Sequence, residues 1–450
     1  MGSGTSLENC ALSDIGRRRA SNQDSLVVVE PYNTEQYRRR GWLLLVADGM
    51  GAHAAGETAS ALAAQQVPLA YEKNAHRPAP LALRASLLHA NAEIYTRGES
   101  TADLKGMGTT CTTLVIVPRG ALVGHVGDSR AYRIRGGTIE QLSRDHSLAW
   151  DMEAARAKVG GEAIPTPPKN IITRSMGPHG RLEVDIEGPF PVEEGDVFVL
   201  CSDGLSGQVA DEEIGGFAAT LPPEEAAAAM LGLALVRGAP DNVTLIVAKA
   251  GPKVVTDPAA ANTPWPLGED EAPLREPGKL PWRTLAVAGL ALLAALIIHP
   301  LALTHPETGL LGRLLGPGLA EAVGWSAAAG MGLLCVGAFV AALVGSFAPP
   351  GGTAFTLKPG GRLGNAPYRS YDCSLTPGLI EGIAASVETA ADGLSDRERH
   401  KALQHVVATR TAIAADTLPE AVAQAAQAID VYRRSVEAAR RDDTIRIWDK

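Results

Sequence analysis

Five carboxylates stand where apolar, strand-like runs begin or end. WLLLVADG places Asp48 before Gly49, VFVLCSDG places Asp203 before Gly204, and GHVGDSR carries Asp128. GAPDNVTLIVA sets Asp241 just ahead of an apolar run, and Asp24 closes RRRASNQD ahead of another. A single Asp-Gly is ordinarily a turn. Five such residues at the ends of five strands are different, because neighbouring strands bring their ends together and crowd these oxygens into one small volume. A cluster of that kind raises its own pKa values strongly unless positive charge compensates it. Hard divalent cations such as Mg2+ and Mn2+ supply that compensation, since they take carboxylate, carbonyl and water oxygens. Two of them about 4 Å apart can share a water, lower its pKa to give a nucleophile at neutral pH, and clamp a phosphoryl group during in-line displacement. Glycine after the aspartate would let a metal or a carbonyl ligand approach with no Cβ in the way.

Arg17, Arg18 and Arg19 lie a few residues before Asp24. A planar guanidinium matches phosphate in bidentate fashion, so one member of this run is a candidate phosphate ligand, weighted equally against a solvated turn. Arg38-Arg39-Arg40, between two strand runs, reads as a solvated hairpin tip.

The elements that must position these groups are short and β-rich: LVVVE, WLLLVADG, TTLVIV, ALVGHVGDS, AYRIR, DVFVLCSDG and NVTLIVA. Their spacing and turn residues predict antiparallel sheets. Ala- and Leu-rich sequence between Gly56 and Tyr95 predicts two helices, and residues 226–238 another. Strands interleaved with helices imply an α+β domain over residues 1–250.

The rest of the chain is organised by hydropathy. Of 450 residues, 41 are Lys or Arg and 50 are Asp or Glu, and this acidic balance argues against a nucleic-acid partner. Five scattered cysteines (Cys10, Cys111, Cys201, Cys335, Cys373) show no zinc spacing and suit a reducing compartment. No cleaved signal peptide is read at the N-terminus. Residues 284–305 and 322–348 contain no Asp, Glu, Lys or Arg. Each is long enough to cross a bilayer core, which needs roughly 20 helical residues. Arg275, Lys279 and Arg283 precede the first stretch, Lys358, Arg362 and Arg369 follow the second, and the loop between holds Arg313 alone. That bias places both flanks on the cytoplasmic side of a lipid bilayer. The expected organisation is therefore a catalytic domain (1–250), a Pro/Ala-rich acidic linker (251–282), a two-helix transmembrane hairpin (283–348), a Gly/Pro-rich linker (349–373) and a helical tail (374–450). Thr376-Pro377, Ser395 with Glu398, and Thr417 with Glu420 mark three helix starts in the tail. Arg410 interrupts the apolar stripe of the middle helix, and nothing in the tail suggests chemistry.

SDIGRRRASNQD (13–24), VADGMGAHAAGE (46–57), GMGTT (106–110), VGDSRAYRIR (126–135), LSRDHSL (142–148), ITRSMG (172–177), LCSDGL (200–205) and APDNVTLIV (239–247) occur in that order. Together they resemble the bacterial metal-dependent protein phosphatases of the type-2C family over about residues 7–250. The resemblance implies two antiparallel sheets sandwiched between helical layers and hydrolysis of phosphoserine and phosphothreonine. Carried over by position, it implies that Asp48 bridges two Mn2+ or Mg2+ ions, that Asp203 and Asp241 complete the first, and that the carbonyl of Gly49 binds the second. It also implies that Asp24 orients water, that Asp128 with Asp203 holds a weaker third ion, and that Arg19 binds phosphate.

Gln23 stands where many relatives have glutamate, which implies altered affinity at the second metal. Met50 replaces the histidine assigned as general acid in animal members, leaving that role open; His53 nearby reads equally as a solvent-facing residue at a helix start. Ala52 replaces the usual second glycine of the Asp-Gly motif, and residues 145–170 match the variable flap near the site. The implied whole is a two-span phosphatase of the bacterial cytoplasmic membrane acting on cytoplasmic phosphoproteins, a Ser/Thr kinase among the expected partners. The alternative is a pseudophosphatase scaffold that binds phosphoproteins. Oligomeric state is open.

Overall fold

In the computed structural model, which describes residues 7–51, 55–159, 171–268 and 355–448, the apolar runs are strands covered on both faces. One antiparallel sheet has the order β1 (Leu7–Asp14), β11 (Val243–Ala250), β10 (Val197–Cys201), β7 (Arg130–Arg135), β8 (Thr138–Gln141), β14 (Arg369–Asp372). The other runs β2 (Asp24–Val29), β3 (Trp42–Met50), β5 (Cys111–Val117), β6 (Gly120–Val126), β9 (Asp185–Phe190), with β4 (Gly108–Thr109) paired to the end of β3. Side chains alternate between faces with period two. Phe198, Leu200, Ile246 and Ala248 therefore meet Leu44, Val46, Leu114 and Val123 between the sheets. Their neighbours Val199, Cys201, Leu245 and Val247 point the other way, into a cluster with Met230 and Leu233.

Helices cover the outer faces. α1 (Thr34–Arg40) precedes β3, and α2 (Ala55–Lys73) and α3 (Ala79–Ser100) pack on the second sheet. After α4 (Leu148–Val159) and α5 (Asp203–Ser206), α6 (Asp211–Thr220) and α7 (Pro223–Val236) pack on the first. The expected sandwich is present. The short α8 (Pro258–Ala261) follows the last strand of the domain.

The tail forms α9 (Pro377–Ala390), α10 (Asp396–Ala414) and α11 (Leu418–Trp448). A helix that is apolar all round is buried, and α7 meets that condition because α11 covers the side turned away from the sheet. Ile380, Val387, Val422 and Ile429 share one apolar cluster with Leu233, Val247 and Phe217. At Gly232 a Cβ would stand 2.4 Å from Ile429 Cγ2, so the glycine permits the close approach. Arg410 is drawn to Glu381 and Glu388 of α9, at 2.8 and 2.7 Å. Thr376 and Ser395 cap as expected, accepting from the N–H groups of Leu379 and Glu398. Thr417 does not: its hydroxyl donates back to the Ala412 carbonyl at 3.1 Å, beside Asp416 in the left-handed region (φ 57°).

Two further readings need correction. Arg38–Arg40 form the last turn of α1, not a hairpin tip. Arg40 is buried, donating to the Glu72 carbonyl at 2.8 Å and lying 5.0 Å over the Tyr71 ring. Arg369–Asp372, inside the segment read as a linker, is the edge strand β14.

Met1–Trp265 and Leu357–Lys450 belong to one unit and Pro266–Thr356 to a second; β12 (Trp265–Gly268) pairs with β13 (Phe355–Leu357). Among the described residues no helix is long and apolar enough to cross a membrane. The stretches 284–305 and 322–348 lie outside the described residues.

Candidate active site

Asp24 opens β2 and Asp48 lies near the end of β3, directly opposite each other in the strand register. The Asp48 backbone is held on both sides: its N–H donates to the Thr110 hydroxyl at 2.8 Å, and its carbonyl accepts from the Thr110 N–H at 2.9 Å. Asp128 follows Gly127 in the turn between β6 and β7. Gly127 has φ 114°, and a Cβ there would stand 2.5 Å from the Thr110 side chain. Asp203 opens α5, one residue after Ser202, whose hydroxyl donates to Asp24 Oδ2 at 2.8 Å. Asp241 stands two residues before β11, and Arg19 donates to its Oδ2 at 2.6 Å.

The five aspartates and Arg19 are thus brought to one end of the sandwich. Asn242 ties the arginine loop to it, accepting from the Gln23 N–H at 2.9 Å and donating to the carbonyls of Ile15 and Ser21 at 2.9 and 3.0 Å. The three arginines separate. Arg19 faces the carboxylates, whereas Arg17 donates to the Tyr432 hydroxyl of α11 at 2.5 Å.

Electrostatics follow from this crowding. Burial, with Asp24, Asp203, Asp128 and Asp241 around it, pushes the Asp48 carboxyl well above the usual range. Burial also raises Asp24 to about 6, against hydrogen bonds that lower it and with Asp203 and Asp241 adding to the rise. Asp128 goes up to about 7 by burial and the nearby Asp203 and Asp145. Asp203 is raised by burial and Asp241, opposed by a hydrogen bond with Asp48.

As these groups lie, no three acidic, histidine or cysteine side chains among the described residues form a ready metal cage. Arg19 engages Asp241. The donor set nevertheless fits hard cations. Every side-chain donor is a carboxylate, burial and then mutual repulsion raise four of them, and Asp24 Oδ1 and Asp128 Oδ1 are buried without a hydrogen-bond partner. A buried lone pair left unpaired is costly, and a cation satisfies it.

The glycines of the two Asp-Gly pairs have a different cause from the one expected. A Cβ at Gly49 would stand 2.1 Å from the Gly56 carbonyl oxygen, and one at Gly204 only 1.8 Å from that of Asn242. Both are required by close backbone packing. Met50 ends β3, and Ala52 and His53 lie outside the described residues.

Sequence reasoning missed the supports beneath Asp128. Arg130 donates through Nε and Nη2 to Asp145 at 3.0 and 2.7 Å and through Nη1 to the Tyr132 hydroxyl at 3.0 Å. Tyr132 in turn donates to Asp211 at 2.8 Å. His146 Nε2 lies 2.9 Å from Asp185, which Arg174 also contacts at 2.7 Å, and these partners pull the Asp185 carboxyl down to about 2 despite its burial. Both networks fix the chain entering α4. A cavity of about 430 Å³ is lined by Asp128, Asp203 and Asp241 together with Trp150 and Glu153 of α4 and Arg369 of β14.

Residues 16–231 match the family model for protein phosphatase 2C. The serine/threonine phosphatase stp of Listeria monocytogenes is 33% identical over 242 residues, covering 52% of this chain and 92% of that protein. PstP of Mycobacterium tuberculosis is 34% identical over 247 residues, covering 54% of this chain but 45% of PstP. A crystal structure of the PstP catalytic domain, described as a complex with two manganese ions, covers 54% of this chain and 98% of its own with a TM-score of 0.44. Matched at 33% identity over 92% of the Listeria phosphatase and by the family model over residues 16–231, the chain belongs to the protein phosphatase 2C family and is a serine/threonine protein phosphatase.

Proposed function

We propose that this enzyme hydrolyses phosphoserine and phosphothreonine on cytoplasmic proteins while held at the membrane, and that the aspartate cluster is its Mn2+ or Mg2+ centre. The observation that carries the site is the convergence of Asp24, Asp48, Asp128, Asp203 and Asp241 with two buried, unpartnered carboxylate oxygens. Asp48 would hold both ions, Asp203 and Asp241 one of them, the Gly49 carbonyl the other, and Asp128 with Asp203 a third. When bound, such ions supply a water acidic enough to attack phosphorus at neutral pH and offset charge on the phosphoryl oxygens. The chain's own groups do the rest. Asp24, steadied by Ser202, accepts hydrogen bonds from water at the centre and orients it. Arg19, more than half exposed at the rim, pairs with phosphate and so exchanges its Asp241 partner for substrate. Asn242 holds the loop that delivers it.

Anchoring is supported by the two uncharged stretches and by the basic residues outside them. The chain before 266 and the chain after 356 fold into one unit, which is compatible with two crossings and not with one. Fractionation tests it: the full chain should resist alkaline extraction from membranes, and a chain lacking 283–348 should not.

The catalytic test is turnover of p-nitrophenyl phosphate with Mn2+. Asp48→Asn and Asp241→Asn should each lose at least ~10²-fold in kcat/KM, and EDTA should silence the wild type. Undiminished turnover in EDTA would remove the metal reading.

A further inference from the structure

Beyond the carboxylates, the cavity holds a cation supplied by a segment that the family model does not cover. Residues 363–373, which follow the stretch read as a membrane hairpin, run as a strap across the catalytic domain. Leu363 bridges to Gly188, and the buried Glu187 carboxylate accepts from the N–H groups of Asn365 and Ala366 at 2.9 and 3.0 Å and from the Tyr368 hydroxyl at 2.6 Å. The Tyr368 N–H donates to the Gln141 carbonyl at 2.9 Å, and β14 then pairs with β8 in the register Arg369↔Gln141. The strap therefore has little freedom, and it sets Arg369 on the wall of the cavity that Asp128, Asp203 and Asp241 also line.

The Arg369 guanidinium stacks 4.0 Å over the Trp150 ring, and Tyr368 meets the same indole edge-on at 6.2 Å. Its acidic partner is Glu153, whose side chain is 66% exposed against 23% for Arg369. An ion pair whose acid is this exposed contributes little to stability, whereas the stack and the strand pairing fix where the cation stands. The other arginine on this wall, Arg130, is saturated by Asp145, Tyr132 and Asp211. Arg369 is thus a pre-placed guanidinium with one readily exchanged partner, beside the centre assigned to phosphate hydrolysis.

We propose that Arg369 is a specificity-determining residue which favours phosphoserine and phosphothreonine segments carrying an Asp or Glu carboxylate close to the phosphorylated residue. The substrate acid replaces Glu153 on the Arg369 fork and Glu153 returns to water. This inference rests on the site reading above. It makes the chain beyond the anchor part of the substrate cleft.

The test uses the full chain in mild detergent with Mn2+ and two phosphopeptides that differ only in Glu against Gln next to the phosphoserine. The readout is the ratio of kcat/KM for the acidic over the neutral peptide. Wild type should prefer the acidic peptide by about tenfold, chiefly through KM, the size expected of one charge-assisted hydrogen-bonded pair. Arg369→Gln should bring the ratio to about one. Glu153→Gln should raise it above the wild-type value, because the competing acid is gone. A latch that merely braced α4 would make both variants damage both peptides alike. A wild-type ratio near one, or a ratio unmoved by Arg369→Gln, overturns the assignment. Wild-type turnover of p-nitrophenyl phosphate checks the site separately, and the affinities of both peptides, titrated in parallel, decide the Arg369 assignment even where turnover is absent.

Discussion

Gly232→Ala should change sign with the length of the chain. Gly232 lies inside α7, where alanine is favoured over glycine by about 1 kcal/mol in an exposed helix interior. In a chain ending at residue 250, nothing from the tail faces this position, so the substitution should stabilise by up to that amount. In the full chain the added Cβ would stand 2.4 Å from Ile429 Cγ2, a separation that real side chains do not adopt. Ile429 is fully buried and cannot swing away, so α11 must shift or its side chain must leave its rotamer. Overpacking of that kind costs typically about 1–3 kcal/mol, which outweighs the helical gain. For a domain of this size each kcal/mol moves the unfolding midpoint by ~2–4 °C. Thermal unfolding followed by circular dichroism should therefore show a small rise in the short chain and a fall of several degrees in the full chain. Ile429→Ala removes the obstructing atom, so in that background Gly232→Ala should lose its penalty although Ile429→Ala alone costs ~2–5 kcal/mol. If Gly232→Ala moved both chains in the same direction, α11 would not be seated on α7, and the account of why α7 is apolar on every side would fail.

Removing metal should make stability fall with rising pH. Asp24 at about 6 and Asp128 at about 7 sit above the unfolded carboxylate value of about 3.9, so their contribution is whole below that value and disappears as pH climbs through 6 and 7. In EDTA the melting midpoint should be higher at pH 5 than at pH 7.5, Asp24 alone accounting for about 1.4 kcal/mol because only one pH unit separates pH 5 from its value of about 6, and Mn2+ should flatten the slope. Arg19→Ala should lower kcat/KM by about 10–100-fold, the loss of one charged hydrogen bond. Because it also frees Asp241, Mn2+ should bind tighter rather than weaker, read by titration calorimetry. Arg440→Ala removes the bonds from α11 to both Asp14 oxygens, at 3.0 and 2.8 Å, and to the Gly16 carbonyl. It should cost about 1–3 kcal/mol in a melt and raise KM, since the loop it holds carries Arg19.

What the sequence made legible was whatever had a strong local signature. Asp48 and Asp203 end runs such as WLLLVA and VFVLC, buried on both faces, and those runs could hardly be anything but central strands. The edges were harder. β1 reads LENCALSD with polar residues at the exposed positions, β14 reads RSYD, and β9 reads DIEGPF with a glutamate inside the fold. None of these three carries an apolar run, unlike β2, an edge strand whose LVVV was legible, because a strand braced by polar contacts needs no second apolar face. Glu187 is buried only because a segment nearly 180 residues further on supplies its donors. The Arg130–Asp145 pair was missed for a related reason: its partners lie 15 residues apart, and Arg130 is held further by Tyr132 and by Asp211, 81 residues on. Gly49 and Gly204 were recognised, but for access by a ligand, whereas their Cβ positions are taken by backbone carbonyls of Gly56 and Asn242. Contacts of long sequence separation leave no local trace.

The same separation explains why the tail belongs to the enzyme rather than to its surroundings. The loop from Asp14 to Arg19 is gripped from within by Asn242, which reaches Ile15 and Ser21, and from outside by α11, where Tyr432 takes Arg17 and Arg440 takes Asp14 and Gly16. Two of three consecutive arginines thereby acquire opposite duties: Arg17 is committed to the tail and Arg19 to the carboxylate centre, two residues apart on one short loop. On the other flank, Arg369 stands among the residues lining that centre because Tyr368 and β14 are fastened to Glu187 and β8. Both supports come from chain that follows residue 356, so a displacement of that chain would reach the loop carrying Arg19 and the cavity wall together. Neither support exists in a chain ending at 250. Such a fragment should keep the carboxylates in place, since β2, β3, β6, β10 and β11 hold them, and should lose substrate affinity before it loses metal.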